Sequence, residues 1–189
     1  MQSNLHFERL LDKAIAAVRT DGPATLEALD ELPAPIYVTD SEGRVTHFNS
    51  ACAAFAGRTP VVGEDRWCVT WKLYTEAGEF LPHDRCPMAT AIRERRPVRG
   101  IEAVAERPDG TRLNFRPYPT PLFDDDGNFS GAVNMLVDIT DRKQSDYLQA
   151  QAKRCRRLAK SIGDARTIET LTRMAGEFET KASELEQLH

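Results

Sequence analysis

Between residues 131 and 143 the hydrophobic pattern of the chain changes period, and that change constrains the fold more than any other feature. Gly131-Ala132-Val133-Asn134-Met135-Leu136-Val137 is apolar and β-prone; Asp138-Ile139-Thr140-Asp141-Arg142-Lys143 is polar and opens a long helical pattern. One short segment is therefore expected to end a sheet, turn and start a helix. The residues before it read as mixed α/β structure, and those after it read as helix.

Before that joint, Phe7, Leu11, Ala14 and Val18 step by four, three and four, a helical stripe widened by Leu10 and Ile15. Asp21-Gly22-Pro23 supplies a stop signal, and a short second helix is expected over residues 24–32. From Ile36 the pattern is that of strands. Ile36-Tyr37-Val38, the turn Asp40-Ser41-Glu42-Gly43 and Arg44-Val45-Thr46-His47-Phe48 make a hairpin. Asn49-Ser50 offers capping oxygens to a short helix over 51–56, closed by Gly57. Residues 58–85 read as helical turns and loops. Residues 87–95 read as a helix, with Pro87 in its first turn. Strands are then expected at 98–106, 111–117 and 129–139, around the turns Arg107-Pro108-Asp109-Gly110 and Asp124-Asp125-Asp126-Gly127-Asn128.

After the joint, Leu148, Ala152, Cys155, Ala159 and Ile162 form a stripe, Gly163-Asp164 breaks it, and Ile168, Leu171, Ala175, Phe178, Ala182 and Leu185 resume it. The first helix is basic on its outer faces (Lys153, Arg154, Arg156, Arg157, Lys160) and the second is acidic (Glu177, Glu179, Glu184, Glu186). Opposite signs favour packing these two helices on each other, as a hairpin or as coiled-coil segments. Isolated helices are marginal in water, so these are expected to dock on the N-terminal helix, the sheet or a second subunit.

Composition narrows the classes of function. With 41% hydrophobic and 29% charged residues the chain has the make-up of a globular domain, and a net charge of −4 gives no reason to expect nucleic acid as a partner. The basic run 153–160 is interleaved with a core stripe and reads as a solvated helix face. No apolar run approaches the roughly 20 residues that span a bilayer, and the N-terminal residues lack a signal-peptide pattern, so membrane insertion is not expected and a cytoplasmic location is. Cys52, Cys68, Cys86 and Cys155 are scattered without a Cys-x-x-Cys pair, which reads as reduced thiols and against zinc.

Taken together, the pieces at residues 25–143 resemble a PAS domain. The resemblance rests on Pro35-Ile36-Tyr37-Val38-Thr39-Asp40-Ser41-Glu42-Gly43-Arg44-Val45, on Asn49-x-Ala51 with Gly57, and on Glu106-Arg107-Pro108-Asp109-Gly110-Thr111. Pro119-Thr120-Pro121-Leu122, Gly131-Ala132-Val133 and the terminal Asp138-Ile139-Thr140-Asp141-Arg142-Lys143 complete it. It implies an α+β fold: a five-stranded antiparallel sheet in the order 2-1-5-4-3 with helices on one face, joined by an N-terminal helix and a C-terminal helical hairpin. The domains are then an amphipathic helix at 1–23, a PAS domain at 24–143 and a helical hairpin or coiled-coil segment at 144–189.

The resemblance also implies a signal-sensing and protein-interaction module rather than an enzyme. Asp138, Ile139 and Thr140 would pass a ligand- or partner-induced change to the flanking helices. A homodimer is expected, working with a separate signalling protein such as a histidine kinase or a regulator. Trp67, Trp71, Arg116, Tyr118 and Asn134 are the candidate walls of a small-molecule pocket, although Trp67 and Trp71, four apart, read rather as core on one helical face. Arg116, if turned inward, needs an anion.

The cofactor is left open. Flavin photochemistry is disfavoured because Cys68 sits in Glu64-Asp65-Arg66-Trp67-Cys68-Val69-Thr70, without the Asn and Arg neighbours of the light-sensing subclass, and reads as a buried thiol. His83 is the candidate haem ligand, but Leu81-Pro82-His83-Asp84 reads as a loop turn and favours a surface histidine. No phosphate loop or nucleophile elbow is present, and the one histidine after residue 143 is His189, so no kinase or hydrolase core is legible. The rival readings are a ligand-free dimerisation adaptor and an enzyme acting on a small molecule in the pocket.

Overall fold

The computed structural model describes residues 2–19 and 23–187 of the chain, so the Asp21-Gly22 stop signal and His189 lie outside the described residues. The chain divides into two compact units, one up to Asp138 and one from Ile139 onward.

The first unit runs α1 (Gln2–Arg19), α2 (Pro23–Asp30), β1 (Ile36–Asp40), β2 (Val45–Phe48), α3 (Ser50–Ala56) and β3 (Lys72–Thr75). It continues with a 3-10 turn (His83–Arg85), α4 (Pro87–Glu94), β4 (Ala103–Glu106), β5 (Arg112–Pro117), β6 (Thr120–Phe123) and β7 (Phe129–Asp138). The sheet is antiparallel, in the order β2-β1-β7-β5-β4-β3, with β6 also paired to β7. Without β3 and β6 it is the expected 2-1-5-4-3 arrangement.

The two additional strands have local causes. β6 takes Phe129–Val133 of β7 on the flank where β5 takes Leu136–Asp138, so β5 and β6 form one line broken at Tyr118-Pro119. β3 adds to the far edge of β4 through Leu73 opposite Ala105. Residues 58–85 thus hold a strand and one 3-10 turn in place of the expected helical turns. The expected strand at 98–106 is regular only from Ala103.

Both faces of the sheet are covered, which is why its central strands read as nearly continuous apolar runs. On the inner face, α3 and α4 contribute Cys52, Phe55, Met88 and Ala89, packed on Tyr37, Val45, Leu73, Phe115, Ala132 and Leu136. The expected set of helices on one face accounts for this layer. The N-terminal helix, whose docking place the sequence left open, covers the opposite face: Leu10, Leu11 and Ala14 of α1 and Leu29 of α2 meet Ile36, Val38, Val133 and Met135. The alternation of Tyr37 against Ile36 and Val38 follows from the two-residue period of a strand. Tyr37, Leu29, Ile36, Leu73, Met88, Met135 and Leu136 are under 2% exposed, each worth about 1.5–3 kcal/mol of apolar burial.

Asn49 locks three elements together. Its Oδ1 accepts the Ile36 N–H of β1 and, as the N-cap of α3, the Cys52 N–H, both at 2.9 Å. Its Nδ2 donates to the Leu29 and Ala34 carbonyls at 3.0 and 2.8 Å. A side chain 1% exposed is thereby satisfied on both ends.

The second unit is a helical hairpin of α5 (Thr140–Ser161) and α6 (Ala165–Glu186). Ala152 and Cys155 of α5 pack with Ala175, Leu171, Met174 and Phe178 of α6. Asp164 caps α6, accepting the Thr167 N–H at 2.9 Å. The charge complementarity appears as Arg156 gripping Glu179 through Nε and Nη2 at 2.8 and 2.6 Å. That pair is exposed and screened by solvent, so the apolar stripe rather than the ion pair holds the hairpin.

Candidate functional site: a polar chain through the inner core

Tyr37 is the side chain around which the inner core is polar rather than oily. It is fully buried on β1, opposite Asn134 of β7. Its hydroxyl accepts from Asn134 Nδ2 at 3.0 Å and donates to the Trp67 carbonyl at 2.9 Å. Asn134 Oδ1 in turn accepts the Tyr118 N–H at 3.0 Å, where β5 gives way to β6. Burial holds the Tyr37 phenol well above its usual range, so it stays a neutral donor.

The Trp67 carbonyl reaches this core because Trp67 adopts φ 61°, a left-handed conformation costing a non-glycine residue roughly 1–2 kcal/mol. Compensation comes from its N–H, which donates to the Gly43 carbonyl at 2.7 Å, and from its ring. The ring lies against Gly43 so closely that a Cβ there would sit 2.5 Å from Trp67 Cδ1. The Arg66 guanidinium stacks over that ring at 4.5 Å. Cys86 Sγ, 3.7 Å from the same carbonyl, extends the chain to the N-terminus of α4.

The candidate pocket residues separate into groups. Asn134, Trp67 and Tyr118 belong to the hydrogen-bonded chain, although the Tyr118 ring lies on the opposite face, stacked on Phe7 at 6.4 Å. Trp71 is 54% exposed, and no helix joins it to Trp67. Arg116 finds its anion in Glu102, at 2.5 Å, and this partner raises its pKa above the ordinary value; its Nε is buried without a partner. His83 opens the 3-10 turn and is half-buried. Two clefts of about 440 Å³ each lie at the margins. One is lined by His47, Thr39, Ser130 and Phe123, with His47 Nδ1 buried and unpartnered; the other is lined by Arg85, Arg96, Arg99, Leu81 and Ile101. Among the described residues no group of three or more His, Cys, Asp or Glu side chains is placed to hold a metal, and no helix is long and apolar enough to cross a membrane.

Asp138, Ile139 and Thr140 occupy the joint. Asp138 ends β7 opposite Phe115, and Thr140 is the first residue of α5. Ile139 alone separates strand from helix, and its carbonyl accepts the Lys143 N–H at 2.9 Å to start the helical ladder. The expected intervening turn is therefore a single residue. Sequence reasoning missed Tyr37 and Cys86 as members of the polar chain. Tyr37 is hidden in an apolar strand and Cys86 is isolated in sequence; only the fold brings them to one carbonyl.

A family model described as "PAS fold" matches residues 29–144, well over half of the chain. The protein belongs to the PAS family, whose domains are signal-sensing modules and, in general, sensory or regulatory rather than enzymatic. Among solved structures, the PAS domain of Bordetella pertussis BvgS is 26% identical, with 63% of this chain and 85% of that chain covered and a TM-score of 0.43. A PAS domain of a protein from Colwellia psychrerythraea is 17% identical over 60% of this chain and 92% of that one, at a TM-score of 0.41. The Rhodobacter sphaeroides LOV protein is 11% identical over 95% and 98%, at 0.44. No curated protein matches the sequence.

Proposed function

We propose that this PAS protein senses a ligand or a docked partner in its first unit and passes the change along β7 into α5, where it alters what the C-terminal helices bind. The observation that carries this reading is the continuity of β7. It pairs with β1, β5 and β6, carries Asn134 of the buried polar chain, and runs into a 22-residue helix through Ile139 alone. A shift of Tyr37 or Trp67 pulls directly on that strand. The working form is a cytoplasmic homodimer acting on a separate signalling protein. The bistable element is the packing of the flanking helices.

The reading is tested at the joint. Asp138→Ala with Thr140→Ala is expected to change self-association in sedimentation velocity and the protection of α5 amides; both unchanged would overturn it. The large side chains packed between the sheet and α3/α4 favour a second reading, a dimerisation adaptor without an enclosed ligand. Native mass spectrometry of protein from its own host separates the two. A stoichiometric small molecule supports the sensor, and an empty dimer supports the adaptor.

A further inference from the structure

Arg85, Arg96 and Arg99 come from a loop turn and the irregular stretch after α4, and the fold gathers them around one cleft. The cleft, about 440 Å³, lies where the 3-10 turn and the start of α4 meet the segment 96–102 that leads into β4. Its apolar walls are Leu81, Pro87, Val98 and Ile101. Ile101 is 45% exposed, a large apolar side chain that the fold leaves uncovered. Of the lining residues only Leu81 also borders the packed inner core, so the cleft is separate from the polar chain around Tyr37.

The charges around the cleft do not cancel. Glu102, the acid on its wall, is taken by Arg116 at 2.5 Å, and Arg96 is paired with Glu94 at 2.5 Å. Arg99 is held by neutral acceptors. Its Nη1 donates to the Val98 and Pro119 carbonyls at 3.0 and 2.8 Å, and its Nη2 to Thr120 Oγ1 at 2.8 Å. Glu8 of α1 bears on it through charge but forms no ion pair with it. A guanidinium has five N–H donors, so at least two of those on Arg99 stay open. The exposed Arg85 side chain has neither a hydrogen bond nor an ion pair among the described residues. Two cations of the cleft therefore lack a carboxylate, beside walls that are apolar.

We propose that this cleft binds a small amphiphilic carboxylate, an aliphatic or aryl acid whose head meets Arg85 and Arg99 and whose tail covers Ile101, Val98 and Leu81. One carboxylate offers an oxygen to each arginine, and bonds between guanidinium and carboxylate are charge-assisted. Each tail CH2 removed from water strengthens binding about 4-fold. The volume is at the small end of the range for ligand pockets, which suits a short chain or a single ring. This names a ligand class for the sensing proposed above. Binding depends on the cleft alone, whereas passage of a change to β7, through Glu102 and through Arg116 opposite Val137, rests on that reading.

Isothermal titration of the full chain with octanoate, below its micelle concentration, tests the site. Acetate keeps the head without the tail, and octanamide keeps the tail without the charge. Octanoate is expected to bind once per chain, at least about 10-fold more tightly than either. Arg85→Gln and Ile101→Asp alter exposed side chains, and each is expected to weaken octanoate binding about 10-fold. The comparison of the three compounds on wild type is decisive even if a variant folds poorly. No octanoate binding, octanamide bound as tightly as octanoate, or full octanoate affinity in both variants would each overturn the proposal. Octanoate bound as expected with α5 amide exchange unchanged would refute the signalling consequence alone.

Discussion

Replacing Asn49 by alanine removes the hydrogen bonds through which one buried side chain ties α2, β1 and α3 together. The Ile36 N–H, on a residue with 0% exposure, loses its acceptor, as does the Cys52 N–H at the start of α3. The Leu29 and Ala34 carbonyls lose a donor. Each buried group left unsatisfied costs about 1–3 kcal/mol, and losing the cap costs about 1 kcal/mol. If two of the four groups find no water, the total is about 3–7 kcal/mol, a large part of the 5–15 kcal/mol typical of a domain. Both tryptophans, Trp67 and Trp71, lie in the first unit, so selectively excited tryptophan emission during urea unfolding reports that unit, without Tyr147 of the second. At a slope of about 2 kcal/mol per molar, the midpoint falls by about 1.5–3.5 M. Asn49→Asp keeps the two accepted N–H bonds but sets a carboxylate against two carbonyls, so it is destabilised as well. A midpoint for Asn49→Ala within about 0.3 M of wild type, at unchanged slope, would refute the reasoning.

Two further outcomes rest on single contacts. A Cβ on Gly131 would lie 2.0 Å from the Thr39 carbonyl oxygen, and that oxygen belongs to paired backbone, so Gly131→Ala is expected to lower Tm by about 10 °C or more while Gly163→Ala, with nothing within 4 Å, changes it little; equal Tm values in a thermal melt would contradict this. The Ser50 N–H beside Asp30 Oδ1, at 2.6 Å, holds that carboxyl below its usual value. A lowered folded-state pKa contributes stability that is full above the unfolded value near 3.8 and is lost as pH falls through the folded one, so Asp30→Asn should flatten the stability profile below about pH 4; an unchanged acid limb in urea titrations would remove Asp30 as a contributor.

How much of this was legible beforehand depends on the range of each interaction. The hairpin from Ile36 to Phe48, the capping role of Asn49, the stop at Gly57 and the turn at Asp124–Asn128 are carried by neighbouring residues, and all are in place. β3 was not legible because four residues, Lys72–Thr75, hold their shape only by pairing with β4, some thirty positions away. β6 was hidden by Pro121, which removes a ladder donor and argues against a strand until its place beside β7 is known. At the candidate site, Asn134 and Trp67 were legible as polar or aromatic residues near the domain's interior. Their bonding through Tyr37, the Glu102 partner of Arg116 and the approach of Cys86 to the Trp67 carbonyl are long-range products of the fold.

The central claim is that a change in the buried polar chain travels along β7 into α5. It is tested most directly by amide hydrogen exchange across residues 139–161 in wild type and Asn134→Leu. That variant breaks the bonds to Tyr37 and to the Tyr118 N–H while keeping an apolar side chain in the core. The account predicts exchange in the first turns of α5 altered on the order of 10-fold, equivalent to about 1.4 kcal/mol in local opening. Exchange altered only within residues 23–138, with α5 indistinguishable from wild type, would contradict it.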